Sequence, residues 1–96
     1  MATETIERPR VEGPGTGTGG SWRVIVLNDN HNTFDHVANT LARVIPSVTI
    51  DSGYRIADQI HNKGQAIVWT GEREPAELYW EQLNEAGLTM APLERA

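Results

Sequence analysis

From Trp22 to Leu27 apolar and polar positions alternate, with Trp22, Val24 and Val26 on one side and Arg23, Ile25 and Leu27 on the other. The β-branched content of this run predicts a strand, and with Arg23 at a rim, Ile25 and Leu27 are expected to face the helices. The run stops against Asn28, Asp29 and Asn30. From Phe34 the period becomes helical through Phe34, Val37, Leu41 and Val44 or Ile45, with Asn32 or Thr33 as cap and Pro46 as the stop. After a connector at Val48, Thr49 and Ile50, Asp51 or Ser52 caps a second helix whose inward positions are Ile56, Ala57 and Ile60, and which closes at Lys63 and Gly64. Gln65 to Thr70 is almost continuously apolar and predicts a central strand buried on both faces. Gly71 to Glu74 reads as a charged turn, and Pro75 suits the first position of a third helix with Ala76, Tyr79, Trp80 and Leu83 inward and Gly87 at its end. Leu88 to Leu93 is a short last strand in which Pro92 belongs at an edge or at the end. The order β-α-α-β-α-β predicts an α+β fold: a three-stranded, mainly antiparallel sheet with helices packed on one face.

Residues 1–21 carry glycines and prolines and only Ile6 and Val11 as sizeable apolar side chains. Such a stretch buries too little surface to offset its ordering entropy, so a disordered tail is expected, followed by one domain over residues 22–96. A domain of that size buries only about 60% of its unfolded surface. The 96 residues hold no Cys and a formal net charge of −5, which removes disulfides and thiolate metal sites. The few basic residues are scattered, so no nucleic-acid face is expected. No run approaches the roughly 18 to 20 apolar residues of a membrane span, and no basic-then-apolar leader is present. A cytoplasmic protein is the default expectation.

Packing gives no reason to set three short polar residues beside one of the most apolar segments of the chain. Asp29 offers a negative charge and acceptors, and the amides of Asn28 and Asn30 offer acceptors and donors, which suits a cationic group such as an ammonium. His61, beside Ile60 and one turn beyond Ala57, is the natural partner, since a neutral imidazole accepts a hydrogen bond. The plainer reading is that Asn and Asp here form a turn and cap the next helix, and that His61 only serves a helix end. A metal site is a weaker candidate: His31, His36, His61, Asp29 and Asp35 are potential ligands, but the spacing of His31 and His36 matches no common zinc pattern. Nothing resembles a nucleophile elbow or a phosphate-cradling loop, so the chain reads as a binder that needs no cofactor.

The strand Trp22-Arg23-Val24-Ile25-Val26-Leu27 with Asn28-Asp29-Asn30, followed later by Ile60-His61-Asn62-Lys63-Gly64-Gln65-Ala66-Ile67, resembles the ClpS family of adaptors for ATP-dependent Clp proteases. The hallmark shared is an apolar strand ending in Leu-Asn-Asp, then a His, two residues, Gly, one residue and Ala. The resemblance implies binding of substrates whose first residue is bulky and apolar (N-degrons) and their delivery to the N-terminal domain of a ClpA- or ClpC-type ATPase. It assigns Asn28, Asp29 and His61 to the substrate α-amino group and Phe34, Val37, Leu41, Ala57 and Ile60 to the pocket wall, with Asn30, Asn32 and Thr33 at the rim. A free N-terminus has a pKa of roughly 7.7 to 8.0 and is largely protonated near neutrality, which distinguishes it from an internal amide. Charge-assisted bonds and a buried side chain, less the ordering cost of the peptide, suit roughly micromolar binding.

Several positions depart from the family pattern. The third residue of the polar trio is Asn30 in place of the usual Asp, Phe34 stands at the Met position that gates the pocket, and Ala57 replaces a frequent Met. Glu74 keeps an acidic residue near the third helix, but Tyr79 replaces a basic one, so the ATPase-docking surface, with Glu74, Glu77 and Tyr79, is altered. These departures read as a divergent paralogue acting as a monomer in the cytoplasm or, if organellar, the plastid stroma. The alternative is a scaffold or regulator of the Clp ATPase that keeps the fold without a working pocket.

Overall fold

The computed structural model describes residues 20–96; residues 1–19, most of the expected tail, lie outside the described residues. The elements are β1 (Trp22–Leu27), α1 (Phe34–Val44), α2 (Ile50–Lys63), β2 (Gln65–Gly71), α3 (Arg73–Glu85) and β3 (Glu94–Arg95), in the predicted order. The sheet is antiparallel with β1 in the centre, β2 on one side and β3 on the other. Val24 and Val26 of β1 join Leu41, Ile45, Ala57, Ile60 and Leu83 of the helical layer in one buried core.

Two expectations about faces are corrected. The helix-covered face of β1 is that of Trp22, Val24 and Val26, not that of Ile25 and Leu27. Arg23 lies on the opposite face and pairs with Glu94 of β3 at 2.9 Å. As the central strand, β1 is apolar on both faces, so alternation alone does not say which face meets the helices. The continuous apolar run of β2 comes from an edge strand: Ile67 is 50% exposed. A β-bulge explains the pattern, because Val24 pairs with Trp69 but Ile25 pairs with Ile67. The extra residue, Val68, and its neighbour Trp69 therefore both pack on the core, and Trp69 meets Tyr79 edge to face at 5.0 Å.

Helix ends follow local chemistry more closely than predicted positions. Thr33 caps α1, accepting from the His36 amide. The cap of α2 is Thr49, two residues before the expected Asp51, because Thr49 and Ser52 form a reciprocal capping box. Gly53 in α2 allows a close approach to α1, where an added Cβ would lie 2.7 Å from the Ala38 carbonyl oxygen. Helix α3 begins two residues before Pro75, which occupies its first turn. The expected strand Leu88 to Leu93 is instead a single bridge, Met90 to Val26, then a gap holding Pro92, then β3. Pro92 lacks the donor that would continue the ladder.

Candidate functional site

The C-terminal end of β1 and the C-terminal end of α2 are brought together by Gly64. Its left-handed backbone (φ 90°) closes α2 and turns the chain into β2, and its carbonyl accepts the Asn28 amide at 2.9 Å. Asn28 and His61 thus line one cleft with Asp29. The cleft encloses about 390 Å³ including its solvent-open mouth, and its walls include Phe34, Val37, Ala57, Ile60, Val26 and Leu88. Polar groups and apolar side chains therefore line one cleft.

Asp29 is the most constrained of these polar groups. Its Oδ1 accepts from the amides of His31 (3.1 Å) and Asn32 (2.8 Å), and its Oδ2 from Asn32 Nδ2 (2.7 Å) and the Thr89 hydroxyl (2.7 Å). Desolvation pushes its carboxyl up, but the four hydrogen bonds, led by the Asn32 amide and the Thr89 hydroxyl, outweigh it and hold the pKa well below the ordinary carboxylate range. Asp29 is thus ionised with four donors on four lone-pair sites. In contrast, neither the Asn28 side-chain amide nor the His61 ring takes part in a described hydrogen bond. The His61 ring instead meets Phe34 at 5.5 Å between centroids, close to edge-on.

The expected site residues sort into three groups. Asn28, Asp29, Asn32, Phe34, Val37, Ala57, Ile60 and His61 line the cleft. Leu41 is fully buried in the core and is not among the residues lining the cleft. Asn30 and Thr33 are exposed outside the lining, Thr33 being spent as the cap of α1. Leu27, Leu88 and Thr89, together with Val26, were not expected in the cleft. Leu88 and Thr89 arrive because the chain after α3 returns along β1, where the Thr89 carbonyl accepts the Leu27 amide at 2.8 Å. Gly87 and the apolar Leu88 signal that return in the sequence, but not its destination.

The three histidines do not converge. His31 lies 4.0 Å from Asp29, His36 Nε2 bonds the Ala86 carbonyl at 2.9 Å, and His61 packs on Phe34. Among the described residues no three His, Asp or Glu side chains gather as a metal-ligand set.

A ClpS family model, described as ATP-dependent Clp protease adaptor protein ClpS, matches residues 18–94. The chain belongs to the ClpS family. The chain is 58% identical over 76 residues to the ATP-dependent Clp protease adapter protein ClpS of Nostoc sp., covering 79% of this chain and 78% of the relative. The chloroplastic ClpS adapter CLPS1 of Arabidopsis thaliana is 37% identical over 67 residues, covering 70% of this chain and 42% of that protein. Agrobacterium tumefaciens ClpS2, solved bound to L-phenylalaninamide, superposes with a TM-score of 0.70 at 29% identity, over 80% of this chain and 98% of that one. The ClpS fold therefore holds for this sequence, and its cleft and the N-terminus of α3 lie toward opposite ends of β1. Trp22 pairs with Gly71, just before α3, so the two ends are separated by a six-residue strand, about 20 Å. At the N-terminus of α3 Glu74 is exposed and Glu77 pairs with Arg73 at 2.9 Å, and one turn on Tyr79 is half-buried against Trp69. No helix among the described residues is long and apolar enough to cross a membrane.

Proposed function

We propose that this chain is a non-catalytic adaptor that binds proteins with a free, bulky hydrophobic first residue and delivers them to the N-terminal domain of a ClpA- or ClpC-type ATPase. The observation that carries this reading is one cleft lined by the ionised Asp29, by Asn28 and His61, whose side chains make no hydrogen bond among the described residues, and by apolar walls. Asn28 Oδ1 and a His61 ring nitrogen accept from the α-ammonium, Asp29 supplies the negative field, and the first side chain enters between Phe34, Val37, Ala57 and Ile60. L-phenylalaninamide, the ligand of the Agrobacterium relative, has a free α-amino group, an apolar side chain and a neutral amide in place of a carboxylate. Those are the features of a peptide N-terminus. Exposed Glu74 at the far end of β1 is the docking candidate with the best access, since Glu77 and Tyr79 are already engaged. The Nostoc and chloroplastic relatives support placing the adaptor in the cytoplasm or the plastid stroma.

The test is fluorescence anisotropy with peptides identical except for the first residue, each with a free and an N-acetylated terminus. Loss of one charge-assisted interaction, about 1.5 to 3 kcal/mol, weakens the acetylated peptide by roughly tenfold to a hundredfold. Equal affinity of the two forms overturns the proposal. Capture of the ATPase by a protein that binds no free N-terminal peptide would favour the scaffold reading.

A further inference from the structure

The Asp29 carboxylate joins two parts of the chain far apart in sequence. Thr89 reaches it across 60 positions, and Asn32 Nδ2 bridges from it to the Gly87 carbonyl, donating to Asp29 Oδ2 at 2.7 Å and to Gly87 O at 2.9 Å. Both hydrogens of the Asn32 amide are used, so this side chain has no donor left for a ligand. Gly87, with φ 98°, sets the direction in which the segment leaves α3, and His36 holds the preceding carbonyl, that of Ala86, at 2.9 Å. Leu88 lies between the two tethered residues, is buried to 3% exposure, and forms part of the cleft wall.

We propose that Asn32 and Thr89 are positioning residues that clasp the segment of residues 87–89 to Asp29 and so fix Leu88 as the wall that selects among first side chains. The inference rests on the binding function proposed above and extends it to selectivity. Asp29 has both oxygens filled by protein donors, so its contact with a bound ammonium is through its field, while its hydrogen bonds order the wall. Backbone hydrogen bonds in which Leu27 donates to Thr89 and Ala91 donates to Ile25 hold the segment against β1, but neither reaches the loop between β1 and α1. The side-chain clasp is what joins it to the loop between β1 and α1. Releasing the clasp lets Leu88 move relative to Val37 and Ile60 while leaving Asn28 and His61 in place. The affected quantity is the ratio of affinities between first residues of different size.

Thr89→Val keeps the shape of the side chain and removes the donor, and Thr89→Ser keeps the donor. Anisotropy with free peptides beginning in Leu, Phe or Trp, and with the acetylated Phe peptide, is measured at a temperature where circular dichroism shows every variant folded. The expected result is at least a threefold change in the Leu to Phe to Trp affinity ratios in Thr89→Val, with the wild-type ratios restored in Thr89→Ser. If Thr89→Val does not fold, Asn32→Ala, which releases Gly87 and leaves Thr89 in place, carries the same expectation. Wild-type protein that distinguishes free from acetylated peptide, with variants that keep its ratios or lose affinity for all three by one common factor, would overturn the clasp alone. Wild-type protein that does not distinguish them would overturn the proposed function and the clasp together.

Discussion

The Asn28 amide donates to the carbonyl of Gly64 at 2.9 Å, so the residue after β1 and the residue after α2 are fixed to one another. Gly64 makes this possible by adopting a left-handed conformation at φ 90°, and open space surrounds the position of a Cβ there. The cost of an added side chain is therefore backbone strain and not collision. Gly64→Ala is expected to lower stability by about 1 to 2 kcal/mol, and Gly64→Asn by less, because Asn tolerates this region. Urea denaturation checks both, and an equal loss for the two variants would mean that strain at Gly64 is not the cause.

Asp29 couples pH to stability in a definite direction. Its pKa is depressed in the folded protein by the hydrogen bonds from Asn32, Thr89 and His31, which overcome desolvation. The stabilisation is therefore present above its unfolded pKa, about 4, and is lost as pH falls below that value toward the lowered folded pKa. The difference in urea midpoint between wild type and Asp29→Asn is expected to stay constant from about pH 7 to pH 5 and to shrink progressively toward about pH 2. A difference independent of pH would contradict this account of the carboxylate.

Phe34 touches both the proposed ligand space and the His61 ring, at 5.5 Å. An edge-on aromatic pair contributes about 0.5 to 1.5 kcal/mol, and Phe34 is wider and stiffer than methionine. Phe34→Met is expected to change the preferred first residue in a peptide panel, with affinity changes of roughly twofold to tenfold for individual peptides. An unchanged profile would mean that Phe34 does not shape the space that takes the first side chain.

Much of the candidate site is legible in the sequence. The stop of apolar alternation at Asn28 and Asp29, the helical stripe from Phe34, and the Lys63 and Gly64 ending of α2 all mark local events, and each falls within one or two residues of its observed place. The second-helix cap was misplaced because Thr49 and Ser52 cap reciprocally, which hydrophobic periodicity does not report. The role of Thr89 was not legible, since nothing near it in sequence indicates a carboxylate 60 positions away.

The local order of residues determined the elements, the polar trio at the end of β1, and the family to which the chain belongs, because capping, periodicity and glycine conformations act over a few residues. Tertiary structure decided which face of β1 the helices cover, which strand is central, and that the Asp29 carboxylate, held by donors of its own loop, is completed by Thr89 from 60 positions away. Those outcomes depend on strand pairing and on the return of the chain after α3, whose partners are chosen by packing across the whole domain and leave no short-range mark in the sequence.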